Sequence, residues 1–415
     1  MVGVERPLAA YGAVTAAYWA FMLTDGALRM LVLLHFHTLG FSALTLSYLF
    51  LVYEFMGVVT NLSAGWIAAR FGLTSTLFAG LALQVVALML LAQLNDAFSV
   101  GFSIIFVMAV QGLSGVAKDL AKMSAKSAVK ILAPAGDSAL FKWVALLTGS
   151  KNAVKGLGFL LGAALLATVG LKAALWGMAL VLALVFISVA VLLPAGMPRG
   201  SKSVKFSHIF SKNPAINQLS LARLFLFGAR DTWFVVGIPV YFYTVLSDGS
   251  ATQDHLAFFQ IGTFMALWVI GYGIVQAFAP KILRAKGRSD AAVTALALRW
   301  VRVLLAVQVV LAALVFFGFA NLSLIVGGLL VFGGVFALNS SLHSYLILAF
   351  SSSERVTLDV GVYYMANAGG RLLGTVLSGL SYQAGGLWLC LAASAIMVAT
   401  SMIFMSKIKQ SDSAT

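Results

Sequence analysis

Acidic side chains are scarce, with 13 Asp and Glu in 415 residues against 27 Lys and Arg. Charged residues of both signs make up only 10% of the chain and hydrophobic ones 61%, and the mean hydropathy is +1.00. A soluble surface needs roughly a quarter of charged residues. The length would allow two or three soluble domains, but this composition excludes them. Cysteine is almost absent: the lone Cys390 lies in an apolar run and leaves no intramolecular disulfide and no Cys-based metal cluster. No Walker loop, metal-ligand cluster or pair of carboxylates at working spacing is present, so neither an enzyme nor a bound cofactor or metal is expected. No basic, aromatic-interleaved soluble stretch exists either. The net charge of +14 is therefore read through membrane topology, not as a nucleic-acid footprint.

What is present is a series of apolar windows about 20 residues long. Twelve spans are expected, near 12–34, 43–68, 74–94, 99–120, 141–169, 172–193, 216–246, 254–279, 292–317, 322–349, 360–383 and 386–405. The first follows Glu5 and Arg6, is full length and lacks a convincing cleavage site, so it is expected to stay as a span. With the N-terminus inside, the cytoplasmic segments hold Arg70, the Lys118–Lys142 cluster, Arg199, Lys202, Lys205, Lys212, Lys281, Arg284, Lys286, Arg288, Arg355, Lys407 and Lys409. The opposite loops hold Lys172 with Asp96, Asp248 and Asp254. That asymmetry places both termini in the cytoplasm.

The expected fold class is thus an all-α polytopic membrane protein of twelve transmembrane helices. Residues 1–193 form one six-helix bundle, 194–215 a basic cytoplasmic linker, and 216–415 a second bundle. The halves echo each other: Thr24-Asp25-Gly26-Ala27-Leu28-Arg29 in span 1 and Gly228-Ala229-Arg230-Asp231 in span 7 lie at similar depth. Two pseudo-symmetric six-helix bundles resemble the major facilitator fold, in which substrate binds at the midplane. Gly65, Arg70 and Gly72 match that superfamily's signature between spans 2 and 3, although Ala69 stands at its acidic position. Gln111-Gly112 resembles the second signature, with Met108 where arginine is usual, and the Gly-rich span 5 resembles the antiporter signature without its proline.

Charges inside spans are costly, so each is a functional candidate. Lys151 and Lys155 lie four residues apart on one face of span 5. With Arg29, Arg223, Arg230 and Arg371 they outnumber Asp25, Glu54 and Asp231, which favours an anionic substrate. Two readings stand for most of them. Lys151 and Lys155 line a wet cavity or snorkel to an interface. Asp25 and Arg29 neutralise each other on one helix, or each serves the cavity. Arg230 and Asp231 are adjacent and so point to different faces, which argues against a private pair. Arg223 either snorkels at the cytoplasmic end or faces inward, and Arg299 and Arg302 read as snorkelling. Glu54 reads as an isolated carboxylate: it carries a proton, or it is a neutral hydrogen-bonded group. His343 is a weaker titrating candidate, and His35 and His37 do not share a face. Lys118, Lys122, Lys126 and Lys130 form a basic stripe, anchoring at headgroups or, for Lys118, standing at the inner mouth of an anion route.

Several stretches are unusual together: Tyr18-Trp-Ala-Phe-Met-Leu-Thr-Asp25-Gly-Ala-Leu-Arg29, Tyr53-Glu54-Phe, Thr60-Asn-Leu, Lys118-Asp-Leu-Ala-Lys122-Met-Ser-Ala-Lys126-Ser and Ala145-Leu-Leu-Thr-Gly-Ser-Lys151-Asn-Ala-Val-Lys155-Gly. They resemble ArsJ, the organoarsenical efflux permeases, and the Asn367–Gly374 run extends the likeness through the second half. The resemblance implies export of 1-arseno-3-phosphoglycerate across a bacterial inner membrane, conferring arsenate resistance. The functional partner would be a glyceraldehyde-3-phosphate dehydrogenase that uses arsenate in place of phosphate. Candidate substrate-binding residues are Lys151, Lys155, Arg29, Arg230, Arg371, Lys118, Asn152 and Asn367; candidate proton-coupling residues are Glu54, Asp25 and Asp231. A monomer is expected from the superfamily resemblance. A carrier of other phosphorylated metabolites, or of inorganic phosphate or arsenate, is the alternative; an anion channel fits the scattered charges less well.

Overall fold

Lipid offers backbone amides no hydrogen-bond partner, so each apolar run must close its own bonds, and helices do so. The structure is a computed structural model that describes residues 5–95, 97–132, 137–193, 213–284, 289–351 and 356–408. Regular structure among these residues is all helix: α1 Glu5–Thr38, α2 Ala43–Tyr48, α3 Leu51–Leu91, α4 Val100–Leu132, α5 Asp137–Leu192, α6 Pro214–Phe234, α7 Gly237–Leu246, α8 Ala251–Leu283, α9 Asp290–Phe316, α10 Leu322–Phe350 and α11 Val356–Ser406.

Ten stretches among the described residues are long and apolar enough to cross a membrane. Two of them, Ser150–Leu192 and Asp359–Ser406, run 43 and 48 residues, which as straight rods would be about twice the hydrocarbon thickness. Each is broken by a glycine in the left-handed region, Gly170 at φ 75 and Gly386 at φ 68. Only glycine takes that conformation without a Cβ clash. Counting both legs gives the twelve spans that the sequence calls for, with the breaks where the apolar windows met. Two other spans are interrupted without ending, between α2 and α3 at Leu49–Phe50 and between α6 and α7 at Val235–Val236. Ser378 Oγ on α11 accepts the Val236 and Gly237 amides at the second interruption (3.2 and 3.1 Å), replacing the lost helical partners.

The chain packs as two compact units. One comprises Met1–Phe41, Ser63–Phe206 and Phe242–Ile270; the other comprises Ser42–Leu62, Ser207–Tyr241 and Gly271–Thr415. In the first, α1 and α5 approach so closely that a Cβ on Gly158 would stand 2.5 Å from the Leu23 carbonyl oxygen and one on Gly162 would overlap that of Ala27. In the second, α6 and α11 repeat the device: a Cβ on Gly370 would overlap the Leu224 oxygen and one on Gly374 would stand 2.5 Å from that of Gly228. Small residues four apart let backbones touch, which is how membrane helices associate without a hydrophobic driving force. An apolar cluster including Leu219, Leu283, Val293, Leu342 and Met405 completes the second unit.

The linker residues Arg199, Lys202, Lys205 and Lys212 lie outside the described residues, as do Asp96, Lys286, Arg288, Arg355 and Lys409. So do the side chains of Ala69, Arg70, Lys126, Lys130 and Lys142.

Candidate functional site

The glycine seam between α1 and α5 sets the first cluster. Gly26 faces the Lys155 carbonyl, where a Cβ would stand 2.6 Å away. At this separation the Lys155 ammonium meets the Asp25 carboxylate at 2.9 Å, with the Phe159 ring 5.9 Å from the same nitrogen. Asp25 and Arg29 are buried, and Lys151, Asn152 and Lys155 are half-buried on the same turns. Trp19 Nε1 donates to Ser150 Oγ (3.0 Å), tying α1 to α5 one turn before Lys155. On α4, buried Asp119 lies 2.9 Å from Lys122 and 4.0 Å from buried Lys118. A dehydrated carboxylate requires such partners.

The second unit holds a longer network. Arg371 on α11 donates from Nη2 to Glu54 Oε1 (2.7 Å) and from Nε to Asp231 Oδ2 (3.4 Å). Arg230 Nε donates to Asp231 Oδ1 (2.6 Å). Two arginines and two carboxylates thus alternate, with Glu54 and Asp231 each about one turn from a helix interruption. Glu54 sits in the first turn of α3, where the positive end of the helix dipole favours a carboxylate. Asp231 sits near the end of α6, where the dipole opposes it, and the flanking arginines offset that.

This arrangement corrects two expectations. Arg230 and Asp231 do pair, because the arginine stem is long enough to fold back although the two Cβ atoms diverge. Their pair is shared with Arg371. Nor is Glu54 isolated; its partner lies 317 positions away.

Arg223 also departs from the snorkelling alternative. It is 5% exposed and points inward, its Nε donating to Asn367 Oδ1 (3.1 Å) and its Nη1 to the Ser340 carbonyl and Oγ (3.1 and 3.0 Å). Its guanidinium carbon lies 3.8 Å from the Phe227 ring centroid and 4.9 Å from that of Tyr363. Tyr272 and Gln276 reach the same Ser340 hydroxyl. Phe227 stands four residues after Arg223, a spacing at which cation and ring meet on a helix. That spacing is the one sequence signal for this group. Candidate binding residue Asn367 therefore serves Arg223 here.

His343 is fully buried, and neither ring nitrogen has a hydrogen-bond partner among the described residues. His37 packs edge-on against Tyr243, with centroids 4.7 Å apart. Tyr243 and Ser247 both donate to Asp254. Among the described residues no group of three or more His, Cys, Asp or Glu could hold a metal ion.

Solved structures share this helix arrangement over nearly their whole length. A POT family transporter in complex with 5-aminolevulinic acid superposes with a TM-score of 0.73 at 14% identity, covering 96% of each chain. A point mutant of the nucleoside transporter NupG gives 0.69 at 15% identity, covering 96% of this chain and 98% of that one. A POT family transporter in complex with a thioalcohol-conjugated peptide gives 0.71 at 14% identity, covering 96% of each chain. At such identities the likeness concerns the fold. No protein of curated function matches the sequence. The family model of the Major Facilitator Superfamily matches residues 14–300, well over half of the chain. Taken with buried ion pairs inside spans and a small-molecule carrier fold, this places the protein among the membrane transporters of small molecules, not the enzymes, and the chain belongs to the Major Facilitator Superfamily.

Proposed function

We propose that this transporter exports an anionic organoarsenical, 1-arseno-3-phosphoglycerate, across a bacterial inner membrane by alternating access, in exchange for protons, and so confers arsenate resistance. The supporting observation is that Lys155, Arg230 and Arg371 are each held by a buried carboxylate inside a span, at 2.9, 2.6 and 2.7 Å. An ester carrying a phosphate and an arsenate group is the kind of ligand for which such cations can exchange partners. For exchange the two loads must bind in turn: the dehydrated carboxylate takes a proton once the anion has left and gives it up before the next anion binds. Export of anion and import of proton then share the same residues, with Glu54, Asp25 and Asp231 as carriers and Lys151, Lys155, Arg29, Arg230, Arg371, Lys118, Asn152 and Asn367 on the anion's side. The resemblance of Asp25–Arg29, Lys118–Lys126 and Lys151–Lys155 to the organoarsenical permeases supplies the identity of the anion.

In this proposal the protein works as a monomer. Residues 1–193 and 216–415 form the two six-helix bundles and both termini are cytoplasmic. A glyceraldehyde-3-phosphate dehydrogenase makes the substrate without necessarily binding the carrier. The test is uptake of radiolabelled arsenate into inverted membrane vesicles, with and without glyceraldehyde-3-phosphate, NAD and the purified dehydrogenase. Accumulation only with the complete enzyme system is the expected result. Accumulation of bare arsenate would identify an inorganic anion carrier instead, and no accumulation would point to another phosphorylated metabolite.

A further inference from the structure

Arg223 differs from Arg230 and Arg371, the two other arginines inside the spans around it. Arg230 and Arg371 contact carboxylates; Arg223 has neutral acceptors and two aromatic faces. Its Nε and both Nη1 protons are spoken for, and Nη2 donates to none of the described residues. The faces of Phe227 and Tyr363 attract a cation without neutralising it. A buried charge of this kind ordinarily has a counter-charge.

Among the described residues, the surroundings are short of partners of the complementary kind. His343 is one turn from Ser340 on α10. Both of its nitrogens are buried without a hydrogen bond to any described residue, and so is Asn339 Oδ1, four residues away on the same helix face. A guanidinium edge and an imidazole N–H seek an acceptor, and an amide oxygen seeks a donor. A protonated oxyanion such as hydrogen phosphate offers both, with the negative charge the arginine lacks. Planar, forked donation to an oxyanion is the particular strength of arginine.

We propose that Arg223, held by Asn367 and Ser340 one turn from His343, forms an oxyanion-binding subsite inside the second unit, next to the Glu54–Arg371–Asp231–Arg230 network, with the Phe227 ring against both Arg223 and Arg230. It rests on the reading of the protein as an anion carrier and names where one anionic group is held. A phosphate, arsenate or carboxylate end of the cargo would bind here.

The experiment uses purified full-length protein in phosphate- and sulfate-free buffer. Thermal unfolding is followed against increasing inorganic phosphate and, separately, 3-phosphoglycerate. Wild type should show a saturable rise in Tm. Arg223→Lys keeps the charge and loses the fork, so the apparent Kd should weaken roughly tenfold or more. Asn367→Asp places a carboxylate beside Nε and supplies a counter-charge from within. It should leave the ligand-free Tm equal or higher while abolishing the anion-dependent rise. An anion response in Asn367→Asp equal to wild type would make Arg223 a structural cation and overturn the subsite, as would a wild type that responds to neither anion. The vesicle assay reads the cargo independently. An anion response lost in Asn367→Asp, with no accumulation of the organoarsenical, keeps the subsite and discards that cargo.

Discussion

Arg371 and Glu54, 317 positions apart in sequence, meet at 2.7 Å, and the same guanidinium turns its Nε toward Asp231. A proton cannot settle on Glu54 without loosening Arg371, and an anion cannot take Arg371 without releasing Glu54. In the proposed exchange the two events alternate, the proton occupying Glu54 only while the anion is absent.

Glu54→Gln separates them. The amide oxygen can still accept from Arg371, but the side chain no longer titrates. One coupled proton per substrate sustains about tenfold accumulation per unit of pH gradient. The variant should lose gradient-driven accumulation while equilibrium exchange of labelled for unlabelled substrate continues. Exchange and accumulation lost together would make Glu54 a binding residue, and accumulation at the wild-type level would remove it from coupling.

The Asp25–Lys155 pair lends itself to a double-mutant cycle. Asp25→Asn or Lys155→Gln alone removes the 2.9 Å contact and leaves the other charge one partner fewer in a largely buried setting, at a cost of up to about 3–5 kcal/mol. The double variant removes both, and the coupling energy from thermal unfolding should lie at about 1–3 kcal/mol. Transport should vanish in every variant lacking Lys155. Additive losses in stability would mean that the 2.9 Å contact contributes nothing of its own.

These residues show how far the sequence was legible. Span positions, and the breaks at Gly170 and Gly386, follow from apolar windows and need no tertiary knowledge. Asp25, Glu54, Lys155, Asp231 and Arg371 stand out because charge in lipid is rare. Their pairing does not, since it depends on which helices adjoin and how closely. For Arg223 even the sense was open: in the third turn of α6, it is near enough to a helix end to snorkel, and only the positions of Asn367 and Ser340 show that it turns inward. Arg230 and Asp231 misled for a different reason, since backbone periodicity governs where a Cβ points and not where a long stem ends.

The glycine seams predict their own sensitivity. In Gly162→Ala the new Cβ would overlap the Ala27 carbonyl oxygen, and helices that must part lose about 1–3 kcal/mol. Gly177→Ala, where no described atom lies within 4 Å, should be neutral or gain up to about 1 kcal/mol through helix propensity. Equal Tm values for the two variants would show that the α1–α5 approach tolerates a methyl group.

Cys390 is the only cysteine in the chain. It is fully buried beside Gly237, with its Sγ 3.6 Å from the Ser378 carbonyl oxygen. Native protein should therefore resist a maleimide fluorophore and react stoichiometrically on thermal unfolding. The labelling midpoint should track the Tm measured by intrinsic fluorescence. Rapid labelling at room temperature would show that α11 opens at Gly386 well below global unfolding.

The break at Gly170 also bears on how the protein is made. Between its legs α5 has only the break at Gly170 and Lys172 just after it, so it offers the translocation machinery two apolar legs with no longer polar loop at which to pause. Lys151 and Lys155 would each add roughly 3 kcal/mol to the insertion of the first leg alone. The second leg carries Leu180, Val181, Leu184 and Ile187 on its outer face and can partition readily into lipid. Biogenesis of the lysine-bearing helix then depends on the residues that follow it, and a ribosome that stalls near Gly170 would strand a span that its own hydrophobicity struggles to insert.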